Sequence, residues 1–257
     1  MYIDSHCHLD FSEFDHDLDE VVARAQANEV MGYIVPGVKR AHWQRQQALA
    51  KRYSSCRLAF GIHPFFLQGF DWQDIDALDN QLHGSDCVAV GECGIDGVVD
   101  DIELQSAVFL AQIELANQHR LPLIVHHRRS HHLLHAAFKR VKPGNGGIIH
   151  AFSGSMADAK KYLALGFKLG CGGVITYPRA EKTRKVFKKL GIEHLVLETD
   201  SPSMPLNGYQ GLRNEPSRIR QVVAALSELT GEALDTIADQ TCSNVKAVFS
   251  LPDSFGT

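Results

Sequence analysis

The sequence predicts an α/β fold, a (β/α)8 TIM barrel, and three observations carry that expectation. Eight short apolar runs alternate with segments of helical periodicity, the pattern of a parallel sheet with crossover helices. A chain of 257 residues has the size at which such a barrel closes as one domain, so residues 1–257 read as a single unit. Side chains able to hold a metal recur at the ends of the apolar runs, and strand C-terminal ends converge on one mouth in this architecture. An open doubly wound sheet is the alternative, but no Gly-rich dinucleotide loop follows the first strand.

The first run, near 2–8, contains His6 and His8. Strand residues two apart share a face, so both imidazoles point one way, inward in a closed barrel, where they can share one cation with bonds of ~2.0–2.1 Å. A helix near 17–28, a strand near 32–36 and a helix near 40–53 lead to a strand near 57–62 followed by His63-Pro64, with His63 facing substrate. A helix near 73–82 precedes the run near 86–92, which ends in Glu92. The helix near 103–119 shows Leu104, Val108, Ala111 and Leu115 at helical spacing.

The run near 122–127 ends at His126, which pleat parity turns inward while His127 faces away. Arg128, two residues on, faces the same mouth and suits a phosphate through its planar fork. His131 and His132 open a helix near 131–140 and are expected in solvent. Strands near 147–151, 167–171 and 194–199 alternate with helices near 156–164 and 181–190, and His150 and Asp200 close two of those strands. Lys182, Arg184, Lys185, Lys188 and Lys189 read as a solvated helix face, and Trp43 and Trp72 as helix-packing residues. Helices near 216–230 and 232–248 complete the outer ring.

Singly, each polar candidate has a plain explanation: Glu92 pairing with Arg128, Asp200 capping a turn, His150 bonding a loop. Jointly, His6, His8, Glu92, His126, His150 and Asp200 point to a centre for divalent ions such as zinc, manganese or magnesium. Glu92 is the natural bridge between two ions ~3.5–4 Å apart, and Asp200 could ligate one of them and orient or deprotonate a water.

Composition narrows the function classes. With 44% hydrophobic residues and 22% charged, a sizeable packed core is expected. The net charge of −4 excludes a global basic field, so a nucleic acid would have to be held locally. Six cysteines without a C-x-x-C pair argue for reduced thiols over a disulfide framework. The first residues form a polar, histidine-bearing strand and no stretch has the length of a membrane span, so the chain reads as cytoplasmic, with no membrane and no obligate protein partner.

At six places the chain resembles the TatD family of metal-dependent deoxyribonucleases, a branch of the barrel-fold metal hydrolases. The matching motifs are Asp4-Ser5-His6-Cys7-His8-Leu9-Asp10, Gly61-Ile62-His63-Pro64, Gly91-Glu92-Cys93-Gly94-Ile95-Asp96, Val125-His126-x-Arg128, His150-Ala151-Phe152-Ser153-Gly154-Ser155 and Leu197-Glu198-Thr199-Asp200-Ser201-Pro202. Segments Thr176-Tyr177-Pro178-Arg179 and Pro205-Leu206-Asn207-Gly208-Tyr209-Gln210-Gly211 look like the YjjV-type subgroup.

The resemblance implies a 3′-end-directed nuclease acting with two divalent ions on DNA, single-stranded or frayed, with RNA as a further allowed substrate. It also implies that His6, His8, Glu92 and Asp200 surround one ion, that Glu92, His126 and His150 surround the other, and that His63 faces the substrate phosphate. Asp96-Gly97-Val98-Val99 departs from the family pattern, as does His127, and both bear on substrate preference. The alternative is a metal-dependent amidohydrolase or esterase on the same barrel, including deacylation of misacylated transfer RNA. Many amidohydrolases bridge their metals with a modified lysine, whereas the fourth strand here ends in Glu92.

Overall fold

Eight parallel strands follow one another around a single sheet in strict chain order, β1 through β8, in a computed structural model that describes residues 1–84 and 87–256. The order is β1 (Tyr2–Asp4), α1 (Leu18–Ala27), β2 (Val30–Pro36), α2 (Arg40–Arg52), β3 (Cys56–Phe60), α3 (Gln73–Leu82), β4 (Cys87–Asp96), α4 (Ile102–His119), β5 (Leu123–Arg128), α5 (His131–Arg140), β6 (Gly147–Ile149), α6 (Met156–Leu163), β7 (Phe167–Cys171), α7 (Glu181–Leu190), β8 (Leu195–Leu197), α8 (Ile219–Thr230) and α9 (Leu234–Val248). The expected barrel is therefore present. Residue 86, the expected start of the fourth strand, lies outside the described residues.

Alternation along the strands sorts two cores. Ile3, Ile34, Ala59, Ala89, Ile124, Ile148 and Val196 fill the barrel interior, where Phe249 and Phe255 pack with them. Their neighbours Tyr33, Val35, Leu58, Phe60, Val90, Leu123, Val125, Ile149, Leu195 and Leu197 face the helices. The period-2 pattern thus buries both faces of the sheet, as a helix-covered parallel sheet requires.

The barrel closes between β8 and β1 through individual hydrogen bonds. Ser5 N donates to Leu197 O at 2.9 Å, Asp200 N to His6 O at 2.9 Å, and Thr199 N and Oγ1 to the Asp4 carboxylate at 3.1 and 2.6 Å. β1 stops at Asp4 and β8 at Leu197, short of their expected ends at 8 and 199, because both chains leave the ladder to make these contacts.

Two smaller expectations are corrected. Trp72 is 53% exposed beside Phe70, whereas Trp43 is buried as expected. His131 is half-buried, with Nδ1 2.8 Å from the Tyr162 hydroxyl, since the first turn of α5 packs against α6; His132 does face solvent. The basic residues of α7 are largely exposed, and the face they leave inward is Thr183, Val186 and Phe187. Among the described residues no helix is long and apolar enough to cross a membrane.

Candidate metal centre

Simple pleat parity delivers His126 and His150. Ile124 and Ile148 point into the barrel, so the residues two further along do the same, and His127 turns outward against His131 and Phe152.

Parity alone would have sent Glu92 the other way. Ala89 faces inward and Val90 outward, yet Cys93 also faces outward, because the register with β5 slips between Val90 and Cys93. The extra residue turns the Glu92 carboxylate into the barrel. Glycine permits the slip: a Cβ on Gly91 would sit 2.7 Å from Ile124 Cβ, and one on Gly94, whose φ is +142°, would sit 2.2 Å from His126 O.

The same inversion occurs after β1. Ile3 points in and Cys7 packs in the outer core, so His6 and His8 face the interior. Cys7 N bonds Ile34 O at 3.1 Å and His8 N bonds Ser201 O at 2.7 Å, which wedges this segment between β2 and the end of β8.

The side chains then converge. His6 Nε2 and His8 Nε2 lie 3.3 Å apart, 3.1 and 3.5 Å from Glu92 Oε2, and each 3.5 Å from Asp200 Oδ1. The other Glu92 oxygen, Oε1, lies 3.1 Å from His126 Nδ1 and 3.3 Å from His63 Nε2. His150 stacks on His6 with ring centres 3.6 Å apart, its Nε2 3.6 Å from Asp200 Oδ1 and its Nδ1 3.1 Å from Glu198 Oε2. The structure therefore groups His150 with His6 and Glu198, and His63 with Glu92 and His126. Arg128 stands at the rim, 60% exposed, with Nη1 4.0 Å from Asp96 Oδ2.

These donors fit divalent cations. Glu92, Asp96, Glu198 and Asp200 bring four carboxylates together, and among the described residues the permanent cation within 4.0 Å of any of them is the exposed Arg128. Buried carboxylates without compensating charge cost several kcal/mol each. Protons on imidazole supply that charge when no metal does. Burial works against charge on His8, but the hydrogen bonds and charges of Asp200 and Glu92 outweigh it and raise His8 to about 10. His150 is likewise raised against burial by Glu198 and Asp200. Burial would raise Glu92, yet its electrostatic attraction to the His63 and His6 rings and hydrogen bonds from His126 and His6 hold it well below the usual carboxylate range.

His8 must shed its proton to offer Nε2 to a cation, so metal loading should release protons, and affinity should strengthen as pH rises toward 10. Calorimetric titration of the metal-free protein in buffers of different ionisation enthalpy checks this: the apparent heat should change with buffer, and a buffer-independent heat would contradict it.

His63 differs in kind. Its Nδ1 accepts the Phe65 N–H at 3.0 Å, which places the ring proton on Nε2. Burial, ahead of the opposing charge of Glu92, lowers it to about 4, so it stays neutral and presents an N–H to the site. Gln112 of α4 fixes the preceding residue, accepting from Ile62 N at 2.8 Å and donating to Ile62 O at 3.0 Å.

Four contributors go beyond the residues singled out from sequence. Asp96 lies 3.2 Å from His126 Nε2, and Glu198 accepts from Ala151 N at 2.6 Å beside His150. Asp4 and Thr199 tie β1 to the segment carrying Asp200. Burial pushes the Asp4 carboxyl up to about 7 despite hydrogen bonds from Thr199 and His6. A signal existed for Glu198: a carboxylate at inward parity, two residues after Val196 in an apolar run.

A cavity of about 580 Å³ opens over these groups, walled by Phe11, Phe65, Phe66, Arg128, Arg129 and Met204 among others. The chain is 40% identical over 255 residues to the metal-dependent hydrolase YjjV of Escherichia coli K12, covering 98% of each, and the crystal structure of that protein superposes with a TM-score of 0.94 over 98% of each chain. It is 31% identical over 253 residues to the 3′-5′ ssDNA/RNA exonuclease TatD of Klebsiella pneumoniae strain 342, covering 95% of each. A model of the TatD related DNase family matches residues 3–250, nearly the whole barrel with every residue of the cluster inside it, and the chain belongs to that family.

Proposed function

We propose that this protein is a metal-dependent phosphodiester hydrolase that removes nucleotides from the 3′ end of single-stranded or frayed DNA, using two divalent ions of zinc, manganese or magnesium type. The observation that carries the reading is the division of Glu92, which turns Oε2 to His6 and His8 and Oε1 to His126 and His63. One carboxylate facing two sets of nitrogens is the geometry of a bridging ligand.

His6, His8, Glu92 and Asp200 would hold one ion, and Glu92, His126 and His150 the other. Asp96 and Glu198 would orient His126 and His150 through their second ring nitrogens, which fixes tautomer and raises ligand basicity. Bound there, such ions supply Lewis acidity toward phosphoryl oxygens and toward water.

The protein's own groups do the rest. Asp200, held ionised by His150 and His8 against the effect of burial, accepts a hydrogen bond from the attacking water and aligns it. His63 donates its Nε2 proton in a hydrogen bond to a non-bridging phosphate oxygen, and Arg128 clamps the same group from the rim. The exposed ring of Phe65, with Phe11 and Phe66 beside it, offers faces on which unpaired bases stack. That favours a nucleic acid over a small amide, as does the lack of lysine among the described residues of the cavity wall. All six cysteines are free thiols, which fits a cytoplasmic site of action.

The test is turnover of a 3′-labelled single strand beside a panel of amides and esters by one metal-reconstituted sample. Release of mononucleotides from the labelled end is expected, and preferential amide or ester hydrolysis would overturn the reading. The roles of His63 and Arg128 are checked separately. Their alanine variants should retain wild-type metal content and lose about 10²-fold or more in turnover, as removal of a charge-stabilising donor does. Loss of an ion from either variant on dialysis would make that residue a ligand.

A further inference from the structure

Helices α3 and α4 end side by side, and their last turns carry a group of side chains with no part in the metal centre. Asp79 and His83 stand four residues apart at the end of α3, on one face. His119 is the last residue of α4, and its Nε2 lies 2.6 Å from Asp79 Oδ1. The His83 and His119 rings meet edge to face with centres 4.7 Å apart, and one ligating atom from each of the three residues lies within 4.8 Å of the others.

We propose that Asp79, His83 and His119 form a second, peripheral site for a zinc-like divalent cation that clamps α3 to α4. His83 Nδ1 lies 2.9 Å from Asp79 O, an acceptor only, so it carries the ring proton and leaves the Nε2 lone pair free. A backbone carbonyl on the other ring nitrogen is the usual support of a ligating imidazole.

Two helix C-termini end at this point, and the partial negative charge of each macrodipole favours a cation there. Two imidazoles with one carboxylate suit zinc-type ions over magnesium or calcium, and three protein ligands leave one position for water. Binding replaces the hydrogen between His119 Nε2 and Asp79 Oδ1 with the ion, and that hydrogen leaves to solvent as a proton.

The site is remote from the metal centre. His83 and His119 each precede the first residue of a strand by four positions, Cys87 of β4 and Leu123 of β5, whereas the centre gathers at the strands' other ends. The ion would therefore brace the closed base of the barrel and leave the mouth unchanged.

The experiment uses the full chain, stripped by chelator and dialysed against graded free Zn²⁺, with bound zinc counted by elemental analysis. The wild type should bind one equivalent more than His83→Ala, His119→Ala or Asp79→Asn, with hydrolytic turnover the same in all four. Identical zinc isotherms would overturn the site and leave a hydrogen-bonded helix clamp. Because a variant could loosen the helix ends, the wild type is also probed by carbethoxylation with peptide mapping. Zinc, and not an equal concentration of magnesium, should slow modification of His83 and His119 by about tenfold, in line with occupancy of some nine sites in ten. Unchanged modification rates would overturn the proposal without recourse to any variant.

Discussion

Glu92→Gln should yield a folded protein whose turnover is lower by at least about a hundredfold, since even the loss of a partner behind a ligand costs up to that much. The substitution keeps the shape of the side chain and removes the one negative charge shared between the His6–His8 and His63–His126 sides. An amide offers a single acceptor oxygen, so it can satisfy one side and must turn an N–H₂ toward the other.

Stability should move as well. Without metal, the surrounding histidines hold the Glu92 carboxylate ionised in the folded protein, so the amide loses that stabilisation and the metal-free melting temperature should fall. The increase in melting temperature on adding metal should shrink, because less ligand free energy is linked to the folded state. Initial rates, elemental analysis and thermal melts of one preparation separate these effects. Wild-type turnover with full metal content in Glu92→Gln would remove Glu92 from the bridging position.

The sequence shows which residues converge better than it shows how they do so. His126 and His150 follow from Ile124 and Ile148 by counting in twos, and that count holds in the folded chain. Glu92 defeats the count. From Ala89 it should face outward, and the slip between Val90 and Cys93 that corrects it depends on how closely β4 approaches β5 and β3 at Gly91. A glycine in a strand signals such a close approach without giving its direction.

His6 and His8 show the same limit. Their common face was legible from the i, i+2 spacing, whereas the side of the sheet it occupies depends on hydrogen bonds to Leu197, Ile34 and Ser201, each supplied by a distant segment. Asp96 was hidden for a related reason: it acts on an imidazole delivered by another strand, and such pairing has no local sequence period, whereas Glu198 follows Val196 at inward parity and only its partner His150 was out of view.

A circular single strand should resist cleavage while a linear strand of the same sequence is shortened from its 3′ end, and binding should depend only weakly on salt. Both expectations follow from the shape and charge of the mouth. The clustered imidazoles and carboxylates sit at the floor of a cavity backed by the filled barrel interior, with Ile34, Ala59, Ile124 and Val196 beneath, so no through-path exists for a continuous strand among the described residues. A terminus can enter; the middle of a strand must loop in and pay the bending and unstacking of both arms.

The permanent positive charge at the cavity wall comes from Arg128 and Arg129, in a chain of net charge −4, so two or three phosphates are engaged at most. Each neutralised phosphate of a single strand contributes roughly 0.7 to the slope of log K against log salt, which gives a slope of about −1.5 to −2. An extended binding surface would give several times that value. Binding is measured with the Glu92→Gln variant on a labelled linear strand across a salt series, and cleavage with the active protein on circle and line together. Rapid opening of the circle, or a slope near that of an extended DNA-binding protein, would mean that the strand passes along the outer surface instead of ending over Glu92.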